Sequence, residues 1–159
     1  MSSEFDAKII GIVILIIIFI FVLKYSEYFF PNQKTFCKGN FTAIVKRIID
    51  GDTIELQECS EHIRLSLVNT PEYYQPGYKG AKDFTANLCK VGSQVIINQD
   101  ELQPYDKYGR IVALVICQNK KLNAELVYNN LGLIVTRFCS TSEFANEDWA
   151  NCSTNQPKE

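Results

Sequence analysis

Two arginines and a few oxygen-bearing side chains stand where packing alone gives little reason to put them. Arg64 lies within Ile63–Val68, a run with apolar residues at 63, 65 and 67, and so points away from Ile63 and Leu65. Arg110 heads Ile111–Cys117, the most hydrophobic strand-like run in the chain. Asp52 sits just past the turn Asp50-Gly51-Asp52, and Asn69, Thr70 and Glu72 close the run that carries Arg64. Planar guanidiniums suit a bidentate grip on phosphate. Carboxylate and carbonyl oxygens suit a hard cation such as calcium. Brought to one face, these groups describe metal-assisted cleavage of a phosphodiester. Left apart, they are surface ion pairs and turn aspartates, and spacing alone does not choose between the two.

The elements that would have to position them are mostly strands. Phe41–Ile49, Thr53–Leu56, Ile63–Val68, Val95–Ile97 and Ile111–Cys117 carry strand-like patterning. The Asp-Gly between the first two marks a hairpin. Glu58–Glu61 is a second turn, and Thr70-Pro71 ends the third strand, because proline has no N–H for a ladder. Ile111–Cys117 is nearly all apolar and reads as buried on both faces. Tyr73–Gly80 is a Gly/Pro/Tyr loop, and Ala81, Phe84 and Leu88 share one face of a predicted helix over Ala81–Leu88. A second helix is predicted over Leu122–Leu131 with Gly132 as its cap, and a short third one over Ala145–Ala150 around Trp149. The chain has no internal repeats. Five short strands with a helix after the third outline a small closed barrel of the OB-fold plan. The expected class is α+β, mainly β, with two to three helices.

Composition narrows the functions. With 16 Lys+Arg against 18 Asp+Glu in 159 residues, there is no basic coat, so nucleic acid would have to be engaged at a local site. A lone histidine, His62, rules out paired-histidine catalysis or a two-histidine metal site. The apolar residues are unevenly spread. Ile9–Leu23 is an unbroken apolar run of fifteen residues between Lys8 and Lys24, roughly 22 Å as a helix. A full span takes ~20 residues; snorkelling lysines and the aromatics Tyr25, Tyr28, Phe29 and Phe30 would extend it. The run reads as an uncleaved signal anchor and transmembrane helix over residues 1–24. The alternative is a cleaved secretory signal, against which no small-x-small site follows. A linker over 25–38, a barrel domain over 39–152 and a disordered tail over 153–159 complete the expected organisation.

All six cysteines, Cys37, Cys59, Cys89, Cys117, Cys139 and Cys152, follow the apolar run, and none forms a CxxC. Zinc and thioredoxin-like motifs need such close pairs. An even count behind an export signal reads as three disulfides outside the cytoplasm, although the lysines Lys24, Lys34 and Lys38 taken alone would put that side inside. Sequence does not choose among the pairings; the short gap favours Cys139 with Cys152.

VKRIIDGDTIEL (Val45–Leu56), IRLSLVNTPE (Ile63–Glu72) and DKYGR (Asp106–Arg110) occur in that order, and together they resemble the staphylococcal nuclease (thermonuclease) family. The similarity continues through Phe84-Thr85 and Leu122–Leu131, covering most of the chain after the apolar run. The resemblance implies a five-stranded OB-fold barrel and calcium-dependent hydrolysis of DNA, RNA or both. By position, Asp52, Asn69 and the Thr70 carbonyl would hold Ca2+, with Asp50 just outside its direct contacts. Arg64 and Arg110 would hold the scissile phosphate, Glu72 would orient or deprotonate water, and Lys107 and Tyr108 would contact the nucleotide. Asn69 stands where the best-known members carry an aspartate, the loop after Glu72 is shorter, and Arg137 and Phe138 are nearest to where a stacking tyrosine is expected. The alternative is a non-catalytic module of the same fold that binds nucleic acid or protein. No protein partner is inferable from the sequence.

Overall fold

The computed structural model describes the backbone of residues 2–29 and 36–152, with side chains over 11–25 and 36–152. Residues 30–35 of the expected linker and the expected tail 153–159 lie outside the described residues. The chain divides into two units, Met1–Gln33 and Lys34–Glu159.

The first unit is one helix, α1 (Ser2–Phe29). Among the described residues no helix is long and apolar enough to cross a membrane. The expected transmembrane helix, and with it a membrane partner through Ile9–Leu23, therefore gains no support.

The second unit runs β1 (Asn40–Ile48), β2 (Thr53–Leu56), β3 (Ile63–Leu65), β4 (Val68–Asn69), α2 (Tyr78–Leu88), β5 (Gln94–Gln99), β6 (Ile111–Cys117), β7 (Lys120–Lys121), α3 (Leu122–Tyr128) and β8 (Leu133–Ile134). β1 pairs antiparallel with both β2 and β5. A register shift between Val45 and Arg47 lets it turn from one neighbour to the other. β5 continues antiparallel to β6, β2 to β3, and a parallel pairing of β3 with β6 closes the ring. The closed five-stranded barrel matches the expected OB plan. Its inside is filled by Val45, Ile54, Leu56, Ile63, Ile97, Ile111 and Val115, and Leu122 and Leu126 of α3 cover it; all are fully buried. Burying each such side chain contributes about 1.5–3 kcal/mol.

Three disulfides join Cys37 to Cys59, Cys89 to Cys117 and Cys139 to Cys152, with Cα separations of 5.4, 5.3 and 5.6 Å. No free cysteine remains among the described residues. The first ties the domain's start to the β2–β3 turn, and the second clasps the end of α2 to the end of β6. The pairing expected for Cys139 is the one found.

Several boundaries differ from the sequence reading. The expected third strand breaks after Leu65, because Leu67 adopts a left-handed φ of 60°. That conformation costs a non-glycine residue roughly 1 kcal/mol, which burial of the Leu67 side chain offsets. The turn sends Val68 and Asn69 away from the barrel to pair with Ile134 and Leu133. The second predicted helix stops at Tyr128, and its left-handed terminator is Asn130 at φ 57°, not Gly132. Gly132 is needed for another reason, since a Cβ there would come within 2.7 Å of Val68 Cγ1. Ala145–Ala150 is not a helix. Two 3₁₀ turns, Thr136–Thr141 and Glu143–Asn146, lead Trp149 into the core. Such short turns leave no helical period to read.

Candidate active site

The Asp50-Gly51-Asp52 turn is held from two sides. Thr85 of α2 donates its hydroxyl to the Gly51 carbonyl at 2.7 Å. A Cβ at residue 51 would sit 2.7 Å from Thr70 Oγ1 and 2.8 Å from the Ala81 Cβ, so only glycine lets helix and turn approach this closely. The turn thereby fixes Asp52, which is buried. Its Oδ2 accepts from the Thr70 N–H (2.7 Å) and hydroxyl (3.1 Å) and lies 3.1 Å from Arg64 Nη2. Its Oδ1 accepts from the Thr53 hydroxyl at 3.1 Å. Arg64 also donates to the Val68 carbonyl at 2.5 Å and to Asn69 Oδ1 at 3.0 Å.

The DKYGR stretch is a self-contained turn. Asp106 Oδ1 accepts from the Tyr108 and Arg110 N–H groups at 2.9 and 3.0 Å, and Gly109 supplies a φ of 76°. Asp106 Oδ2 takes the Arg110 Nε at 2.6 Å, and Arg110 Nη1 reaches the Thr53 hydroxyl at 3.3 Å. Thr53 Oγ1 thus touches both Asp52 and Arg110. Lys107 and Arg110 both lean on the Tyr108 ring, 4.9 and 5.4 Å from its centre.

Parallel pairing of β3 with β6 sets Arg64 opposite Val112, so the two arginines arrive at one end of the barrel. There a cavity of about 650 Å³ opens, lined by Asp50, Asp52, Arg64, Asn69, Glu72, Lys107, Tyr108 and Arg110. The strand ends converge. Of the residues singled out from sequence, Thr70 alone stands outside this lining; it is buried behind Asp52, with its carbonyl accepting from Asn69 Nδ2 at 3.2 Å. Glu72 is exposed at the rim, on the turn closed by the Gln75 N–H to its carbonyl at 2.7 Å. Tyr105, Gln103 and Val135 also line the cavity and were not singled out from sequence. They reach it through an isolated bridge, a loop and the chain beyond β8, none of which leaves a periodic signal.

The charges fit the phosphate reading. Burial lowers the Arg64 guanidinium below the ordinary arginine value, against the pull of Asp52, but an arginine in a protein stays charged. Burial also raises Asp106, but the Arg110 side chain and the N–H groups of Arg110 and Tyr108 outweigh it and hold Asp106 below the ordinary carboxylate range. Asp50 is pushed up to about 6, first by burial and then by the charge of Asp52.

That crowding of two acids is the observation a cation would relieve. The nearby donors Asp50, Asp52, Asn69 Oδ1 and the Thr70 carbonyl are all oxygens, the set a hard cation takes. Asp52 Oδ1 accepts from the Thr53 hydroxyl and has lone-pair capacity left for an ion. Among the described residues no group of three or more His, Cys, Asp or Glu could hold a metal, so neutral oxygens would have to complete the shell. On donor chemistry, the residues fit calcium.

Asp50 also gives a pH test. Its folded-state pKa lies above the ordinary 3.8, so the folded chain binds the proton more tightly than the unfolded one. Its ionisation therefore weakens the fold as pH rises through about 6. Without calcium, melting is expected to shift upward between pH 7 and 5, by on the order of 1 kcal/mol after solvent screening of a half-exposed group. Asp50→Asn should abolish that shift in thermal melts; an unchanged pH profile would remove Asp50 as its source.

Comparison with known proteins points the same way. The family model described as staphylococcal nuclease homologue matches residues 62–151. The chain is 31% identical over 137 residues to a thermonuclease of Staphylococcus intermedius, covering 81% of this chain and 80% of that one. It is 30% identical over 107 residues to endonuclease YhcR of Bacillus subtilis, covering 58% of this chain and 9% of that much longer protein.

Proposed function

The chain belongs to the staphylococcal nuclease family, and from that premise we propose that it is a calcium-dependent nuclease hydrolysing DNA, RNA or both. The family membership makes it a hydrolase acting on phosphodiesters. The finer reading rests on one observation, the convergence of Arg64, Arg110, Asp52 and Glu72 on a single cavity. Arg64 and Arg110 grip the scissile phosphate and meet the charge that builds on its oxygens. Glu72, at the open rim, orients a water and takes its proton. Lys107 and Tyr108 lie against the neighbouring sugar and phosphate. Asp52, Asn69 and the Thr70 carbonyl would hold Ca2+, with Asp50 behind them, and the ion would supply Lewis-acid stabilisation of the phosphate. Three disulfides support a domain that works outside the cytoplasm.

The test is cleavage of DNA and RNA by the full chain with calcium, with EDTA as control. EDTA-sensitive cleavage supports the reading. Binding without cleavage at any calcium level the fold tolerates would leave a non-catalytic module.

Asn69 decides how tightly the ion is held. Its Nδ2 occupies the Thr70 carbonyl and its Oδ1 faces Arg64. Asn69→Asp adds a charge and frees that carbonyl. The calcium midpoint, read from calcium-dependent melting, is expected to fall about tenfold, the equivalent of ~1.4 kcal/mol. An unchanged midpoint would show that residue 69 is not at the metal.

A further inference from the structure

β5 alternates cleanly up to its last inward position. Val95 and Ile97 are buried, and the next residue on that face, Gln99, is a polar amide only 4% exposed. A buried amide is costly unless its groups are bonded, and here both are. Gln99 Oε1 accepts from the Gly39 N–H at 2.6 Å, and Gln99 Nε2 donates to the Pro104 carbonyl at 2.8 Å. The Pro104 carbonyl also takes the Val112 N–H at 3.1 Å. Tyr105 bridges Ile111, and the Asp106 N–H donates to the Arg110 carbonyl at 3.1 Å. Pro104 therefore stands at the neck of the loop that carries Asp106 and Arg110. Gly39 belongs to the segment that enters the domain ahead of β1. That segment is pinned twice more, by the Cys37–Cys59 bridge and by Phe36, whose ring centre lies 6.0 Å from that of Tyr105 in the cavity wall.

We propose that Gln99 is a positioning residue for Arg110, and that it draws the entering segment Phe36–Gly39 into the same role. This role rests on the nuclease reading and adds to it a residue outside the cavity lining. Packing alone would set an apolar side chain at the end of β5, as it does at Val95 and Ile97. An amide suits both neighbours, because Gly39 offers a donor and Pro104 an acceptor. Glutamate in its place would still accept from Gly39 but would set a carboxylate oxygen against the Pro104 carbonyl. Holding the neck of the loop fixes where Asp106 presents Arg110 to the phosphate. A shift of about 1 Å in such a group costs up to about 10²-fold in rate.

The test is a double-mutant cycle in the full chain, with calcium and a DNA substrate. Gln99→Glu is expected to lower kcat about tenfold with KM unchanged, the sign of an interaction made in the transition state. In an Arg110→Ala chain the same substitution should cost about twofold at most. An equal loss in both backgrounds, or none in either, would overturn the proposal. Phe36→Ala, at a ring that is 66% exposed, removes one pin without touching the core, and carries the same cycle should Gln99→Glu not fold. It should lower kcat about threefold, again only where Arg110 is present. Solvent exchange of the Arg110 Nε proton, which Asp106 accepts, reads the loop by NMR without any chemistry. Gln99→Glu should speed that exchange about tenfold. Faster exchange in a chain whose parent cleaves nothing would fell the nuclease reading and leave the positioning role standing. Cleavage by the parent, with exchange and kcat both unchanged in Gln99→Glu, would fell the positioning role alone.

Discussion

Arg64→Ala is expected to lower phosphodiester cleavage by about a thousandfold and to destabilise the domain by about 2 kcal/mol. The rate effect follows from removing a positive group aimed at charge that develops on the phosphate, where single donors contribute 10²–10³ and arginines up to 10³–10⁵. The stability effect has a separate origin. Arg64 is the charge partner of Asp52, which is only 5% exposed. Removing one partner of a buried pair costs about 3–5 kcal/mol. The loss should be smaller here, because Thr70 and Thr53 still donate to Asp52. Arg64→Lys separates the two effects. It keeps the charge beside Asp52 but loses the planar fork, so it should recover much of the stability and little of the rate. The checks are kcat/KM on a nucleic-acid substrate and urea unfolding of both variants. A folded Arg64→Ala chain that cleaves normally would remove Arg64 from the chemistry.

Reducing the three disulfides should unfold the barrel at physiological temperature. The bridged residues are 22, 28 and 13 positions apart. Loops of that size contribute roughly 3 kcal/mol each by limiting the unfolded chain. A domain's whole stability is about 5–15 kcal/mol, so losing all three removes most or all of it. Single-bridge variants should each lose about 10 °C or more in melting temperature. Cys89→Ala with Cys117→Ala should lose most, because that bridge closes the longest loop and its sulfurs lie in the core. Melts with and without a thiol reductant are the measurement. Coincident melts would show that the barrel stands without its bridges.

Much of the site was legible because its residues belong to turns that carry their own instructions. Asp-Gly-Asp reads as a turn, and the structure shows why the middle residue is glycine. Asp106, Gly109 and Arg110 form a closed local motif whose hydrogen bonds span only a few residues. The barrel's five strands followed from alternation and apolar runs. What sequence hid lies where ordinary residues adopt unusual conformations. Leucine gives no warning of the left-handed φ at Leu67, which breaks a strand that otherwise alternates cleanly. The hairpin from β6 into the two-residue β7 turns through Gln118 and Asn119, at φ 50° and 61°, without the glycine that usually marks such a turn. Arg137 reaches the cavity through a 3₁₀ turn too short to show a period. The anchor expectation, built on fifteen apolar residues at the border between a signal core and a full span, went unsupported.

The parallel seam between β3 and β6 has a consequence for folding order. Ile63 meets Ile111 across 48 positions of chain, whereas β1 and β2 meet through a turn of a few residues. Contacts that enclose long loops form late, since the loop's entropy must be lost before they return anything. Arg64 and Arg110 sit on the two sides of that seam. A chain with its hairpins formed and the seam open holds both arginines but not the pocket between them. Binding competence should therefore arrive with the last step of barrel closure and not in proportion to strand content, so the site itself reports when the protein has finished folding.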